Sequence, residues 1–316
     1  MSFISFKTNL KNNRIVMWSY TNLLKFLFSL EPLLPMSVPI KLYYFISMSK
    51  RLDLNNPEGF NEKIQWLKVY YRDPLYVECA DKYSVREYVK KQGCMEILNE
   101  LYGVYERVEE IDFKGLPNRF ALKTTHGCGT NIICDDKTKL DIESTKTRVR
   151  KWMKKSAGES TGEKHYKYIK PRIVIEKYIG NDDGTLPLDY KIYCFNGKPY
   201  CVCVYSDRDK ITLKTNRAFF NSHWEPLNIT TKAYYTDPER FKKPCTLSKM
   251  KKVAEKLSKP FPFVRVDLYE YKGRVIFGEL TFTPTGGLGK SFTEEANLMF
   301  GKMLELPEKS KTRKYK

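Results

Sequence analysis

Charged side chains recur at every second position near the C-terminal end of the chain. Arg265 and Asp267 alternate with apolar residues in one run, and Glu279 lies in a second run of the same kind. Such alternation predicts two strands, in which every second side chain shares a face. If residues 271–273 form a three-residue hairpin loop with Gly273 in the left-handed conformation, Arg265 faces Glu279 and Asp267 lies diagonal to Glu279.

Two carboxylates and an arginine on one face of a hairpin suit either of two arrangements. One is a salt-bridged surface on a half-exposed sheet. The other is a divalent-metal site, because Mg²⁺ prefers oxygen ligands and is often held by one or two carboxylates together with substrate phosphates. Residues 281–287, with the sequence TFTPTGG, add short hydroxyl groups and a glycine pair beside Glu279. The hairpin alone leaves both arrangements open.

The chain is strongly basic. It has 316 residues, with 56 Lys and Arg against 37 Asp and Glu, which gives a net charge of +19. Hydrophobic residues make up 41% of the chain, which predicts a folded globule with enough length for a sizeable core. A surface this basic favours anionic partners, namely nucleotides, nucleic acid, acidic polysaccharide or an anionic membrane. Nucleic acid is not expected, because no helix-turn-helix, zinc-finger or RNP motif is present.

Cysteine and histidine supply no recognisable site of their own. The eight cysteines form no Cys-x2-Cys pair, and the three histidines have no metal-ligand spacing. Cys201 and Cys203 fall on one face of an apolar run, which predicts buried thiols. A reducing, cytoplasmic setting is therefore expected, and a zinc enzyme is not.

A loop of small residues lies between two short predicted strands in the middle of the chain. Residues 124–130, TTHGCGT, separate strands predicted over 119–123 and 131–134, and Lys123 stands at the base of the loop. Glycines let backbone N–H groups approach phosphate oxygens closely, and a lysine adds a point charge. The loop lacks the Gly-Lys-Ser/Thr of a Walker motif, so an ordinary hairpin turn remains the alternative.

Further strands and helices are predicted around this loop. Residues 171–180 predict a buried strand that becomes polar at Glu176, and Asn196-Gly197 predicts a tight hairpin between strands over 189–195 and 198–205. On the first of these hairpin strands Lys191 shares a polar face with its neighbours at 189 and 193. A helix predicted over 75–91 would carry Lys82 one turn from an arginine.

The N-terminal segment is apolar and interrupted by prolines. Residues 22–45 contain Pro32, Pro35 and Pro39, which predicts short helices that lie on the main body rather than one spanning helix. An interfacial membrane contact is the alternative. No leader segment is expected. We divide the chain into an apolar helical segment (1–50), a helical region (51–118), a main α+β domain (119–305) and a disordered basic tail (306–316).

The order of these parts resembles the ATP-grasp superfamily, and closely its TupA-like branch from surface-polysaccharide biosynthesis. The matching stretches are 54–68 (LNNPEGFNEKIQWLK), 81–89 (DKYSVREYV), 120–129 (FALKTTHGCG), 189–198 (DYKIYCFNGK) and 265–287. The resemblance implies an α+β fold in which two α+β subdomains clasp ATP, preceded by a mostly helical N-terminal region.

The same resemblance implies roles for particular residues. The phosphates of ATP would be covered by the loop, and the residues implied there are Lys123, Thr125, His126, Gly127, Gly129 and, more loosely, Lys82. The adenine would be held mostly through the backbone of Glu176, Lys177, Tyr178 and Ile179. Asp189 and Lys191 would also contact the nucleotide, and Lys123, Lys191 and Arg265 would stabilise the transferring phosphoryl group. Asp267 and Glu279 would bind Mg²⁺, together with Thr281, which stands where most members of the superfamily have asparagine.

The chemistry implied by the resemblance is the joining of a carboxylate to an amine through an acylphosphate. The expected partners are ATP, an amine donor and an acidic sugar or polysaccharide precursor of a bacterial surface glycan. The absence of a Ser/His/Asp or Cys/His set agrees with a mechanism that needs no covalent protein nucleophile. Alternatives are a phosphotransferase of the same fold and a non-catalytic basic protein that binds polyanions or membranes. The expected location is the cytoplasm, with the inner face of the cell membrane as a second possibility.

Overall fold

The computed structural model describes the residues 14–30, 33–155, 158, 161–181, 185–206 and 216–309, and side chains only from Asn22 onwards. Within these ranges eight α-helices are present: α1 (Arg14–Ser29), α2 (Ser37–Met48), α3 (Phe60–Tyr70), α4 (Pro74–Ala80), α5 (Val85–Lys91), α6 (Ile142–Met153), α7 (Leu247–Ser258) and α8 (Glu294–Met303). The strands are β1 (Leu101–Tyr105), β2 (Phe120–Thr124), β3 (Asn131–Cys134), β4 (Ile173–Lys177), β5 (Asp189–Phe195), β6 (Lys198–Ser206), β7 (Asn216–Phe220), β8 (Phe263–Tyr271) and β9 (Arg274–Thr281).

The strands form two antiparallel sheets. Four strands pair in the order β1-β4-β2-β3, and five pair in the order β7-β6-β5-β8-β9. Between β5 and β6 the predicted Asn196-Gly197 turn is confirmed, with both residues at positive φ (49° and 76°). Such a turn matches the right-handed twist of the strands that it joins.

The five-stranded sheet is covered on both faces, which accounts for its largely apolar strands. One face packs Ile192, Val202 and Val266 against a core that also contains side chains of α4, α5 and α7. The other face packs Phe195 and Phe263 against the helices α1, α2, α3 and α8. The four-stranded sheet has a separate core, which it shares with α6.

One face of β5 and β8 changes from aromatic to charged along its length. At one end the face carries Phe195 opposite Phe263, and the ring of Phe60 from α3 packs against both. At the other end it carries Lys191 opposite Asp267. The face predicted to be polar is therefore polar only at the end beyond the aromatic core, and that end carries the charged site.

The helix predicted over 75–91 is interrupted, and its prediction as one continuous helix was wrong. Asp81 ends α4, because its carboxylate accepts hydrogen bonds from the backbone N–H groups of Tyr83 (2.8 Å) and Ser84 (3.2 Å). Such local bonds compete with the helical backbone bonds. Lys82 consequently lies in the turn between α4 and α5 instead of on a helical face beside Arg86.

Two strands were missed by the sequence analysis. β1 contains Gly103, and its pairing with β4 shifts register between Leu101 and Gly103. No strand was predicted for β7, which begins with Asn216 and Arg217. Each is the outer strand of its sheet, so neither has the continuous apolar pattern of a central strand.

The N-terminal helices are present as predicted, but the break at Pro39 was wrong. Pro39 is the third residue of α2, and a proline in the first helical turn removes no intrahelical hydrogen bond. Pro32 and residues 1–13 of the apolar segment lie outside the described residues, as do residues 310–316 of the predicted tail. No described helix is both long and apolar enough to cross a membrane.

Candidate active site

The hairpin of β8 and β9 has a register that differs from the prediction. Lys272 and Gly273 form a two-residue turn, both at positive φ, and not the predicted three-residue loop. A bulge then shifts the pairing between Asp267 and the next residue, so that Asp267 lies directly opposite Glu279. The predicted pairing of Arg265 with Glu279 was wrong, because Arg265 lies opposite Thr281.

Asp267 is the centre of a buried charge cluster. Its carboxylate accepts two hydrogen bonds from Arg265, at 2.7 and 2.6 Å, and one from Lys191 at 2.7 Å. Burial alone would raise the pKa of Asp267, but the charges of Arg265 and Lys191 outweigh burial and lower it. Asp267 is therefore held as a carboxylate.

Asp189 has the opposite environment although it shares the same lysine. Its Oδ2 lies 2.6 Å from the Lys191 ammonium, while its buried Oδ1 has no hydrogen-bond partner in the described part of the chain. Burial raises the pKa of Asp189, and the Lys191 charge offsets that rise only in part. A buried carboxylate oxygen without a partner is costly, so this atom is a candidate acceptor for a ligand donor or a cation.

Glu279 and Thr281 complete the cluster on β9. The Glu279 side chain is 43% exposed, and it lies 3.8 Å from Arg265. Thr281 accepts a hydrogen bond from Arg265 (3.0 Å) and donates one to Glu279 (3.2 Å). Thr281 therefore orients both charged groups through its hydroxyl. A second lone pair of that oxygen is available to a metal.

The donor set of this cluster fits a magnesium ion. Two carboxylates from neighbouring strands face each other, one buried and one partly exposed. No group of three or more His, Cys, Asp or Glu side chains in the described ranges is arranged around a common metal position. Mg²⁺ does not need such a cage, because it keeps waters and is commonly bound by one or two carboxylates with substrate phosphates.

The small-residue loop lies between β2 and β3 as predicted. Thr124 and Thr130 close it through their hydroxyl groups (2.6 Å) and a backbone hydrogen bond (3.1 Å). A Cβ atom on Gly127 would lie 2.4 Å from the Thr130 hydroxyl, so this position requires glycine. Gly129 has φ of +69° and lies with Cys128 at the exposed apex.

Thr125 and His126 are buried residues of the loop. The Thr125 hydroxyl donates to the Lys170 carbonyl and accepts from the Arg172 backbone N–H, both at 3.0 Å. His126 is buried, and burial lowers its pKa, so the imidazole is neutral. Both side chains are therefore held inside the protein, and a nucleotide on the loop would meet the backbone of the loop.

Lys82 and Lys123 flank the loop. Lys82 donates to the Gly127 carbonyl at 2.5 Å. Lys123 pairs with Glu176 at 2.8 Å, and Arg86 approaches the same carboxylate at 3.3 Å. Glu176 is thus a buried carboxylate shared between two cations. One of these cations, Lys123, stands at the base of the loop.

The residues after Glu176 point in different directions. Lys177 is exposed and pairs with Glu100 (2.9 Å), while its backbone carbonyl accepts from the Asn99 side chain (2.8 Å). The ring of Tyr178 is buried beneath the Arg119 guanidinium, 4.3 Å away, and Ile179 is half-buried.

Electrostatic contacts connect the sites of the two sheets. The pKa of Tyr269 on β8 is raised by the charge of Asp189, by burial, and by Glu279, Asp267 and Glu176. Because Glu176 belongs to the four-stranded sheet and the other three to the five-stranded one, acidic residues of both sheets act electrostatically on the same tyrosine. The structure therefore brings the predicted residues into two neighbouring groups.

We call these two groups of residues the cleft. Sequence reasoning missed two further residues near it. Lys68 on α3 is buried, and its ammonium donates to Gln65 Oε1 (2.9 Å) and to the Gly286 carbonyl (3.1 Å). Glu163 accepts a hydrogen bond from Thr283, four residues beyond Glu279. The polar spacing of Asn61, Gln65 and Lys68 on α3 was a signal for the first of these contacts, because such residues share one helical face. No local pattern marks the second.

A sequence model of the family described as TupA-like ATPgrasp matches residues 62–305. A comparison with functionally curated proteins gives no match.

Solved structures with a similar arrangement include three ligases. They are D-alanine–D-alanine ligase from Bacillus anthracis complexed with ATP (14% identity, 71% of this chain and 61% of that chain, TM-score 0.42), D-alanine–D-alanine ligase from Helicobacter pylori (17%, 79% and 70%, 0.43), and the ATP-grasp ligase PsnB complexed with a phosphomimetic variant of a minimal precursor, Mg and ADP (11%, 73% and 61%, 0.39). The chain spans 61–70% of the length of these three proteins, which is less than two thirds for two of them. On the family match, which covers most of the chain, this protein belongs to the TupA-like ATP-grasp family and has its α+β fold.

Proposed function

We propose that this protein is an ATP- and Mg²⁺-dependent ligase that joins a carboxylate to an amine. The observation that carries the proposal is the pairing of Asp267 with Glu279 beside two buried cations, Lys191 and Arg265. Two facing carboxylates supply the oxygen ligands of magnesium, and the adjacent cations supply positive charge for phosphate oxygens. The family assignment supports ATP as the nucleotide.

The reaction proceeds in two steps. A carboxylate oxygen of the first substrate attacks the γ-phosphorus of ATP, the bond to the β–γ bridging oxygen breaks, and an acylphosphate and ADP form. An amine nitrogen then attacks the acyl carbon, the bond to the phosphate oxygen breaks, and the nitrogen loses a proton. The products are an amide and inorganic phosphate.

The residues of the cleft divide this work by charge. Asp267 and Glu279, with Thr281, would hold Mg²⁺, which supplies charge neutralisation for the phosphate oxygens when it is bound. Lys191 and Arg265 would stabilise charge on the transferring phosphoryl group from the five-stranded sheet. From the other sheet, Lys123 and the backbone of the 124–130 loop would hold the remaining phosphates.

The adenine would lie against the segment Glu176–Ile179. Among these residues the backbone of Ile179 would recognise it, because the backbone N–H of Lys177 already donates to the Glu100 carbonyl and the Lys177 carbonyl already accepts from Asn99. The buried Oδ1 of Asp189 would accept from a hydroxyl of the nucleotide or bind the cation.

The two substrates besides ATP are an acidic sugar, which supplies the carboxylate, and an amine donor. The net charge of +19 favours an anionic acceptor, such as a uronic acid of a surface-polysaccharide precursor. The resemblance of residues 54–68 and 265–287 to the TupA-like branch supports the same class. Because the reaction consumes ATP, we place the enzyme in the cytoplasm.

Product analysis tests this proposal. The full-length protein is incubated with ATP, Mg²⁺ and a panel of uronic acids and amino acids, and mass spectrometry follows both nucleotide and product. The expected product has the summed mass of the two substrates less one water, and ADP and phosphate appear only when both substrates are present. A phosphorylated sugar formed without an amine would identify a phosphotransferase, and no ATP turnover with any pair would contradict the proposal.

A further inference from the structure

The helical hairpin of α1 and α2 is apolar on its outward side as well as its inward side. Its inward side chains are buried against the body of the protein, and they are Leu24, Phe28, Met36, Ile40 and Tyr44. Its outward side chains are Leu23, Phe26, Leu33, Leu34, Val38, Leu42 and Phe45. A helix that is apolar on all sides is normally covered on all sides, so the outward face indicates a binding surface.

The outward side chains of α2 form a regular stripe. Val38, Leu42 and Phe45 follow the i, i+4, i+7 spacing of one helical face, and they are 47%, 39% and 48% exposed. At the tip of the hairpin Leu33 is 80% exposed. Half of the large apolar side chains that are exposed in the described residues, seven of fourteen, belong to residues 23–45.

The sequence segment that carries this stripe is almost wholly positive in charge. Residues 1–51 contain seven Lys and Arg but one acidic residue, Glu31. Lys41 lies within the stripe itself, next to Leu42, and is exposed. Interfaces between proteins are depleted of lysine at their centres, whereas helices that lie in a membrane surface combine apolar side chains with lysines that reach the head groups.

We propose that the outward face of the α1–α2 hairpin rests on an anionic lipid bilayer. This goes beyond the proposed catalysis, because it assigns a second surface and a second ligand class, phospholipid head groups with their acyl boundary. The contact is interfacial, since neither helix can span the bilayer. Val38, Leu42 and Phe45 enter the acyl boundary, and Lys41 stays at the level of the anionic head groups.

Vesicle co-sedimentation of the full-length protein tests this surface. One vesicle contains equal parts of phosphatidylcholine and phosphatidylglycerol, and the other contains phosphatidylcholine alone. We expect the protein to sediment with the anionic vesicles and much less with the neutral ones. Leu42→Ser should weaken binding about fivefold, because one large apolar side chain no longer leaves water.

The chain offers a matched control for this substitution. Ile133 on β3 is 41% exposed against 39% for Leu42, so Ile133→Ser replaces an equally exposed aliphatic side chain on the four-stranded sheet, which has a core separate from that of the hairpin. It should leave vesicle binding unchanged. A charge variant, Lys41→Glu, should weaken binding to anionic vesicles about tenfold or more, because it replaces an attracted charge by a repelled one near the surface.

Three results would overturn the proposal. The first is wild-type protein that stays in solution with anionic vesicles, and the second is equal loss of binding in the Leu42 and Ile133 variants. The third is a wild-type dimer in light scattering that Leu42→Ser turns into a monomer without any vesicle binding, which would assign the face to a second copy of the chain. Circular dichroism and thermal unfolding confirm that each variant is folded, and Lys41→Glu remains informative if Leu42→Ser is not.

Discussion

Asp267 and Glu279 face each other across two strands but differ in burial. Asp267 is buried and accepts hydrogen bonds from Arg265 and Lys191, whereas Glu279 is partly exposed at 3.8 Å from Arg265. Removal of one partner from a buried charge cluster leaves the others uncompensated, while a partly exposed carboxylate is replaced at little cost. The two carboxylates should therefore respond differently to the same isosteric change.

Glu279→Gln should abolish turnover and preserve stability. We expect ATP turnover to fall at least about a hundredfold, since several kcal/mol of charge stabilisation depend on the bound metal. The free energy of unfolding should change by no more than about 0.5 kcal/mol, as for other surface changes. Asp267→Asn should lose the same turnover and also about 3 kcal/mol of stability.

Glu110→Gln is the matched control for Glu279→Gln. The Glu110 side chain is 36% exposed and pairs with Arg107 at 2.8 Å, far from the cleft in sequence. Steady-state kinetics should find the ATP turnover of the Glu110 variant unchanged, and urea unfolding should find its free energy of unfolding unchanged. Wild-type turnover in Glu279→Gln would remove Glu279 from the metal site.

Lys68 gives the protein a pH-dependent stability. Burial lowers its pKa to about 8, and the charge of Glu163 offsets this only in part. Since an unfolded lysine has a pKa near 10.4, the unfolded state binds more protons between about pH 8 and pH 10.4, and stability rises with pH in that window.

The comparison of wild type with Lys68→Met isolates this effect. The wild type should gain up to about 3 kcal/mol relative to the variant between pH 8 and pH 10, because each pKa unit corresponds to about 1.4 kcal/mol. Urea unfolding at several pH values measures the difference. A difference that stays constant, or that moves in the other direction, would show that Lys68 is charged in the folded protein throughout this range.

At the scale of elements, the α1–α2 hairpin also reaches the cleft. Gly162 has φ of +71°, and a Cβ atom there would lie 2.8 Å from side-chain atoms of Phe28, Met36 and Ile40. The next residue, Glu163, accepts the hydrogen bond from Thr283. The hairpin therefore packs against the backbone beside a further carboxylate of the site.

Gly162→Ala should destabilise the protein by more than the cost of placing an alanine in the left-handed conformation. We expect a loss of about 1–2 kcal/mol from the left-handed conformation and about 1–3 kcal/mol more from overpacking against the hairpin. Gly93→Ala is the control, because Gly93 has φ of +68° but a Cβ atom added there would meet nothing within 4 Å. Equal unfolding midpoints for the two variants would contradict close packing of the hairpin at Gly162.

Elements were predictable where their signals are local. Asn196-Gly197 defines its turn through conformations that these residues favour, and the alternation in β8 defines a strand. The register of the next hairpin was not predictable, because Lys272 adopts a left-handed conformation that lysine does not favour, and a bulge follows. Asp267 and Glu279 still share a face, because the shorter turn and the bulge each shift the register by one residue in the same direction.

At the scale of the whole molecule, the site draws on parts of the chain that are distant in sequence. The contact of Gln65 with Gly287 joins residues 222 positions apart, and that of Glu163 with Thr283 joins residues 120 apart. Periodicity carries no information about such contacts. The fold and the shared face of Asp267 and Glu279 followed from local patterns and family resemblance, whereas the outer strands β1 and β7 and the contacts of Lys68 and Glu163 required the assembled chain.

The central claim is that Asp267 and Glu279 hold a metal ion that carries the charge of a nucleotide. A crystal of the full-length protein grown with Mn²⁺ and a non-hydrolysable ATP analogue tests it directly, because the anomalous signal of manganese locates the metal. We predict a manganese peak between the two carboxylates, with the analogue's phosphates between the 124–130 loop and Lys191. A nucleotide bound elsewhere, or no metal within coordination distance of either carboxylate, would contradict the account.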